Sequence, residues 1–305
     1  MPAIPSQAAD AVSTWLYDVG WNVTRTLPES TARAIFARMA DALWLRNAGG
    51  VVQLERNLSR VHPEASPAEI RDLSRAGMRS YMRYWCEAFR LPSWSKRRIQ
   101  DTFILERQHL LDDALAEGGA LMIPGHMANW DHAGAWAALT YGSVSSVAER
   151  LKPQKLFDKF MAYRRDLGMD ILGTGSPDVL RHLTDRLNAG KLVALLGDRD
   201  IGRAGVHVEF FGEPASFPAG PAILALTTGV PLHPVTMWFD GDVARGYVHD
   251  RIEMPTQGDR DEQIHTITQQ LARGWESGIR EHSVDWHMLQ KVWVADLDPR
   301  RMAAV

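Results

Sequence analysis

The sequence contains a single cysteine, Cys86, among 305 residues. That excludes an intramolecular disulfide and a cysteine-built zinc framework. No apolar run approaches the ~20 residues that a membrane-spanning helix needs. The amino terminus carries neither a basic segment nor a continuous apolar stretch of the secretory kind, so the chain is expected in the cytosol or on the cytosolic face of a membrane. A net charge of −3 argues against a general nucleic-acid binder. Gly-x-Ser-x-Gly, Walker and His-Glu-x-x-His motifs are all missing. His126 and His132 are spaced badly for two ligands on one helix face, and no metal is expected. Gly173-Thr174-Gly175 lacks the third glycine of a dinucleotide fingerprint.

The chain does have 45% apolar residues and eleven tryptophans, enough for a full core. Cys86 lies in the aromatic stretch Tyr84-Trp85-Cys86-Glu87-Ala88-Phe89 and reads as a small core hydrophobe. Residues 8–110 have helical periodicity almost throughout, in Val12, Trp15, Leu16, Val19 and Val23, and again in Ile35, Met39, Ala42 and Leu43. Ser66-Pro67-Ala68-Glu69 is a capping box with proline at the first helical position. Arg71, Arg75, Arg79 and Arg83 make a stripe on the helix it starts, and Trp94 stands beside Lys96, Arg97 and Arg98. Two roles stay open for this region: a helical layer packed on a sheet with solvated arginines, or a face that touches anionic lipid.

Beyond residue 107 helices and strands alternate. Strands are expected at 120–123, 143–148, 170–172, 191–196, 232–238 and 244–249. Helices are expected at 132–140, 153–167, 220–228 and 259–281. The fold class is α/β: a central, mostly parallel sheet flanked by helices, with residues 1–106 a helical portion packed on it in one 305-residue domain. The segment 201–219 reads as an irregular loop, whose Phe210-Phe211-Gly212 would wall a lipid pocket or plug the end of the sheet.

Chemistry concentrates at three strand ends. Ala120-Leu121-Met122-Ile123 runs into Pro124-Gly125, and His126 follows, with Asp131 opening the next helix. Such a loop and first turn can bring an imidazole to a carboxylate at the carboxyl edge of a sheet, where open α/β folds bind ligands. Glu149-Arg150 ends the second strand and Asp198-Arg199-Asp200 the fourth; in a parallel sheet the three ends share a rim. The expectation is that His126 acts as a general base, oriented by Asp131 or by Glu149. Without a serine or cysteine nucleophile, direct attack of a substrate hydroxyl on an acyl thioester fits best. Arg164-Arg165, with Lys152, Lys155 and Lys159 on the same helix, would suit a phosphate-bearing ligand.

Three stretches resemble one known family. Gly125-His126-Met127-Ala128-Asn129-Trp130-Asp131 resembles the histidine site of the bacterial lipid A late acyltransferases. Asp198-Arg199-Asp200, Gly205, Val208, Phe210-Phe211-Gly212, Ala215 and Pro218-Ala219-Gly220 are similar to its second signature. Asp285-Trp286-His287, with Leu289, Lys291 and Trp293, resembles its closing segment, Lys291 standing where an arginine is usual. Asp131, Glu149 and the tryptophan-rich amino terminus resemble the actinobacterial branch that acylates phosphatidylinositol mannosides. The resemblance implies a peripheral enzyme on the cytoplasmic face of the cell membrane. It would move a palmitoyl-type chain from acyl-CoA, a co-substrate, to a mannose hydroxyl of a mannosylated phosphatidylinositol, with no resident cofactor. It also implies an acyl tunnel in the α/β layer, His126 as base, Asp131 and Glu149 as its partners, and Arg164, Arg199 and Asp200 as contacts of the acceptor or of the structure around it. Other acceptors, a lysophospholipid or another glycolipid, are the first alternative; a lipid-binding protein without activity is the second.

Overall fold

The computed structural model describes residues 20–150, 154–176, 178–200 and 205–297. The periodic residues from Val12 to Val19, Lys152, and the first part of the 201–219 loop lie outside them. Residues 20–26 are helical, followed by α1 (Glu29–Leu45), α2 (Gly49–Val61) and α3 (Pro67–Arg90). The expected capping box forms: the Ser66 hydroxyl accepts from Glu69 N–H and the Glu69 carboxylate from Ser66 N–H, so two otherwise orphaned donors are satisfied. Every arginine of the α3 stripe is ion-paired, though Arg75 and Arg79 stay about half exposed. Arg71 pairs with Glu55, Arg75 and Arg79 with Asp41, and Arg83 with Glu87, which ties α3 to α1 and α2. Cys86 is fully buried in α3, and its burial pushes the thiol up to about 12, as befits a core residue.

After α4 (Lys96–Asp101) the described residues form nine strands and six further α-helices: β1 (Phe103–Glu106), α5 (His109–Glu117), β2 (Ala120–Pro124), α6 (Trp130–Tyr141), β3 (Val144–Ala148), α7 (Gln154–Asp166), β4 (Met169–Gly173), α8 (Val179–Asn188), β5 (Leu192–Ala194), β6 (Val206–Phe210), β7 (Glu213–Phe217), α9 (Gly220–Thr228), β8 (Leu232–Asp240), β9 (Val243–Val248) and α10 (Arg260–Glu281). Seven strands form one sheet in the order β1-β9-β8-β2-β5-β3-β4. Every neighbouring pair is parallel except β8 with β9, so the fold is the expected α/β sheet with helices at the amino terminus.

Alternation along β2 decides what each face carries. Ile123 points to α10, whose Trp275 donates its indole N–H to the Ile123 carbonyl at 2.9 Å. Met122 and Pro124 point to the other face, which α6 covers. Between Ile123 and Trp275 runs Gly197, where a Cβ would come within 2.3 Å of Ile123 Cγ2; only glycine passes there without displacing the core.

Three strands lie where none was expected. Phe103–Glu106, inside the stretch read as helical, pairs in parallel with β9 at the sheet edge. The supposed loop 201–219 contains the antiparallel hairpin β6–β7. Phe211 takes φ 50° and Gly212 φ 79° at its tip, the left-handed conformations a tight hairpin requires. Phe210 is fully buried and stacks on Trp293 at 5.6 Å. The Phe-Phe-Gly motif therefore plugs the structure rather than walling the pocket.

Candidate active site

Strand β2 is buried from Ala120 to Ile123 and stops at Pro124-Gly125, leaving His126 in a short loop before α6. Asn129 caps that helix, its side chain accepting from His132 N–H at 3.0 Å. Ala128 takes φ 46°, a strained value for a residue with a Cβ. The carboxy-terminal segment holds the loop in this shape. Ala128 N–H donates to the Asp285 carbonyl at 2.9 Å, and His287 N–H donates to the His126 carbonyl at 2.8 Å. Met127 bridges to Trp286.

The His126 ring is held by Asp198. Nδ1 lies 2.5 Å from Asp198 Oδ1, and the His126 backbone N–H donates to Oδ2 at 2.8 Å. Trp286 donates its indole N–H to the same Oδ2, also at 2.8 Å. Asp198 is fully buried. Burial alone would raise its pKa, but the adjacent His126 and the three N–H donors hold the carboxyl below its ordinary range. A carboxylate on Nδ1 takes that nitrogen's proton as a donor and leaves the lone pair of the neutral ring on Nε2. Among the described residues nothing is hydrogen-bonded to Nε2.

The expected partner Asp131 is in the first turn of α6 but is not hydrogen-bonded to His126. Arg164 grips it with Nε on Oδ1 at 2.6 Å and Nη2 on Oδ2 at 3.2 Å, and Tyr84 donates its hydroxyl to Oδ2 at 3.0 Å. These bonds commit the Asp131 carboxylate to Arg164 and Tyr84, and the anticipated His126–Asp131 bond does not form. Burial opposes the charge of Arg164, but Asp131 more than offsets it and raises the Arg164 pKa. Arg164 is therefore a buried structural partner of Asp131 as it stands, and the basic α7 face does not present it as a free cation. Glu149 is not bonded to His126 either; it accepts from Arg199 Nη2 at 2.5 Å. Asp200 lies 3.5 Å from the Ser216 hydroxyl.

Even so, the six sequence-chosen residues (His126, Asp131, Glu149, Arg164, Arg199 and Asp200) all border one cavity. The parallel run β2-β5-β3 brings the three strand ends to a common rim, as anticipated, and Glu149 and Arg199 join β3 to the end of β5. The cavity measures about 770 Å³, within the usual range for small-molecule sites. From His126 it extends over the apolar side of the sheet, past Met122, Val144 and Met237, beneath Trp136 of α6.

A histidine braced by a buried carboxylate thus stands at the edge of an apolar cavity. The sequence profile of bacterial lipid A biosynthesis acyltransferases matches residues 5–295. This chain belongs to that family. It is 40% identical over 291 residues to a protein of Mycolicibacterium smegmatis named phosphatidylinositol mannoside acyltransferase, covering 94% of this chain and 93% of that one. A protein of the same name from Mycobacterium tuberculosis is 40% identical over 311 residues, covering 99% and 96%.

For this member of the acyltransferase family, sequence reasoning overlooked three contributors. The sequence marks Asp198 as a strand end but not as the partner of His126. Trp286, in the closing signature, braces Asp198 from 88 positions away. Tyr84 on α3 stacks on Trp130 at 3.9 Å while bonding Asp131. None has a local signal. The usable clue was that Asp198 follows a buried strand that a parallel sheet would set beside β2.

Proposed function

We propose that this protein is an O-acyltransferase that moves a long-chain, palmitoyl-type acyl group from acyl-CoA to a mannose hydroxyl of a phosphatidylinositol mannoside. The observation that carries the chemistry is His126. Its Nδ1 is fixed by Asp198 and its Nε2 is available at the rim of an apolar cavity of about 770 Å³. The family and the names of its relatives support the choice of reaction and acceptor.

In this reading the acyl chain lies in the cavity and the thioester carbonyl comes to the rim. Nε2 takes the proton of the acceptor hydroxyl as its oxygen attacks the carbonyl carbon. The tetrahedral intermediate collapses with cleavage of the C–S bond, and the imidazolium returns the proton to the departing thiolate. Asp198 keeps the ring oriented and stabilises its positive form between the two transfers. No acyl-enzyme is formed. Asp131 and Arg164, clamped together, shape the wall beside His126, and the Glu149–Arg199 pair and Asp200 lie where a polar headgroup would be met.

Work at the cytoplasmic surface of a membrane fits the exterior of the amino-terminal helices. No helix of the described residues is long and apolar enough to cross a bilayer. Helix α1 nevertheless turns Ile35, Met39, Leu43 and Leu45 outward, Leu45 being 69% exposed. An outward apolar stripe beside paired arginines suits shallow burial among lipid headgroups.

The test is release of free coenzyme A from palmitoyl-CoA, with and without a phosphatidylinositol mannoside in mixed micelles. Release that depends on the mannoside, with acylated mannoside as product and loss in His126→Ala by ~10²-fold or more, is the expected result. Transfer to lysophosphatidic acid but not to mannosides would overturn the acceptor. Unchanged release in His126→Ala would overturn the mechanism.

A further inference from the structure

The loop that carries His126 is anchored on both sides of a strained residue. Ala128 takes φ 46°, a left-handed value that a residue with a Cβ keeps only while its surroundings hold it there. Toward the amino terminus the anchors are the Asp285 carbonyl on Ala128 N–H and His287 N–H on the His126 carbonyl. Toward the carboxy terminus the anchor is Asn129, which is fully buried. Its Oδ1 accepts from His132 N–H at 3.0 Å as the cap of α6. Its Nδ2 donates to Glu87 Oε2 on α3 at 3.1 Å. Both halves of the amide are engaged, and their order is fixed, because the oxygen must face the N–H and the nitrogen the carboxylate.

Glu87 is itself buried, its side chain only 4% exposed, and its other oxygen faces two cations. Oε1 accepts from Arg83 Nε at 2.7 Å, one turn earlier on α3, and lies 3.5 Å from Nη2 of Arg33 on α1. Arg33 also reaches Asp242, in the turn between β8 and β9. A buried carboxylate needs partners on both oxygens. With Oε1 given to the arginines, Oε2 meets the one amide that stands between α3 and the His126 loop. Glu87 is not among the residues that border the cavity, so any effect it has on the reaction passes through that contact.

We infer that Glu87 is a positioning residue: through Asn129 it holds the left-handed turn at Ala128 and with it the aim of His126 at the cavity rim. The amino-terminal helical layer thereby serves the reaction as well as the fold. The inference rests on the reading of His126 as the base.

An exchange of the two polar groups tests it. In Glu87→Gln the arginines draw the new carbonyl oxygen, which turns an NH2 group toward the NH2 of Asn129. In Asn129→Asp the helix keeps a good cap, but two carboxylates face each other. In the double variant the glutamine NH2 donates to the aspartate, and the bond returns with its direction reversed. Each single change should lower kcat by about tenfold or more, with KM nearly unchanged. The double variant should come back to within about threefold of wild type. Turnover is taken per folded molecule, the folded fraction being read from urea unfolding, so that lost stability alone does not count.

Proton NMR of the Nδ1 hydrogen that His126 shares with Asp198 gives a readout independent of turnover. Its signal should shift or broaden in both single variants and return in the double. Wild-type kcat or an unmoved signal in the single variants overturns the inference, as does a double variant no better than the singles. Should any of these proteins fail to fold, Asn129→Ser caps the helix but is too short to reach Glu87, and it is expected to show the same losses; wild-type behaviour there overturns the inference. If the wild type shows no transfer that depends on His126, the reading of the reaction falls, and the NMR comparison still decides whether Glu87 holds the loop.

Discussion

Asp198 holds His126 twice, by the ring at 2.5 Å and by the backbone N–H at 2.8 Å, and so sets both the tautomer and the aim of the imidazole. An asparagine there keeps the size but not the charge. Its amide would turn an N–H toward Nδ1, moving the ring proton to Nε2 and removing the lone pair that the hydroxyl needs. Asp198→Asn is expected to lower kcat by ~10²–10⁴-fold, measured as mannoside-dependent coenzyme A release. A variant with wild-type kcat would remove Asp198 from the mechanism.

Asp131 predicts a different signature. It is buried with Arg164 and Tyr84, and breaking a buried pair by removing one partner leaves an uncompensated charge. Asp131→Ala should reduce unfolding free energy by ~3–5 kcal/mol, read from urea unfolding. In the fraction that remains folded, kcat should suffer less than in Asp198→Asn. Were Asp131→Ala as stable as wild type but inactive, Asp131 would act in the reaction itself and not through the fold.

The outward stripe of α1 gives a third expectation. Ile35 and Met39 are 40% and 46% exposed, so replacing both by glutamate removes no core packing and should leave the melting temperature nearly unchanged. Co-sedimentation with vesicles containing phosphatidylinositol should fall by about tenfold or more, since two apolar contacts are lost and two charges repelled by the anionic surface are gained. Equal sedimentation would place the membrane contact elsewhere.

Much of this could be read from the chain because it rests on local pattern. The apolar run of β2 ended by Pro124-Gly125, the Ser66 capping box and the helix 220–228 each announce themselves within a few residues. What stayed hidden depends on distance. Phe103–Glu106 is four residues long and is a strand only because β9 lies alongside to accept it. The β6–β7 hairpin has its turn at Phe211-Gly212, where a non-glycine residue takes positive φ, so no Asn-Gly or Asp-Gly signal marks it. His126 stands out in the sequence because an imidazole after a buried strand is conspicuous, and it does border the cavity. Its hydrogen-bond partner does not stand out: Asp131 is five residues away and Asp198 seventy-two, and sequence proximity favours the wrong carboxylate. The sheet order β2-β5-β3 reverses that preference.

Acid should weaken the fold through its buried histidines. Burial pushes His249 down to about 4, with Arg107 adding to the effect and Asp250 opposing it, and burial with the nearby His126 takes His287 down to about 3. The ordinary value is about 6.5. Each folded pKa lies below its unfolded one, so between about pH 6.5 and the folded values the unfolded chain binds more protons. Stability from these groups is complete above that window and declines as pH falls through it, by up to about 1.4 kcal/mol per pH unit for each histidine. Asp198, with its pKa also lowered, adds a loss in the same direction at still lower pH. His249 accepts from or donates to the Thr236 hydroxyl at 2.9 Å, which glutamine can do without taking a charge. Unfolding free energy measured in urea from pH 7 to pH 4 should therefore drop less steeply in His249→Gln than in wild type. Parallel curves would mean that His249 is already neutralised in the unfolded chain or charged in the folded one, and the acid sensitivity would then have to come from His287 and the carboxylates.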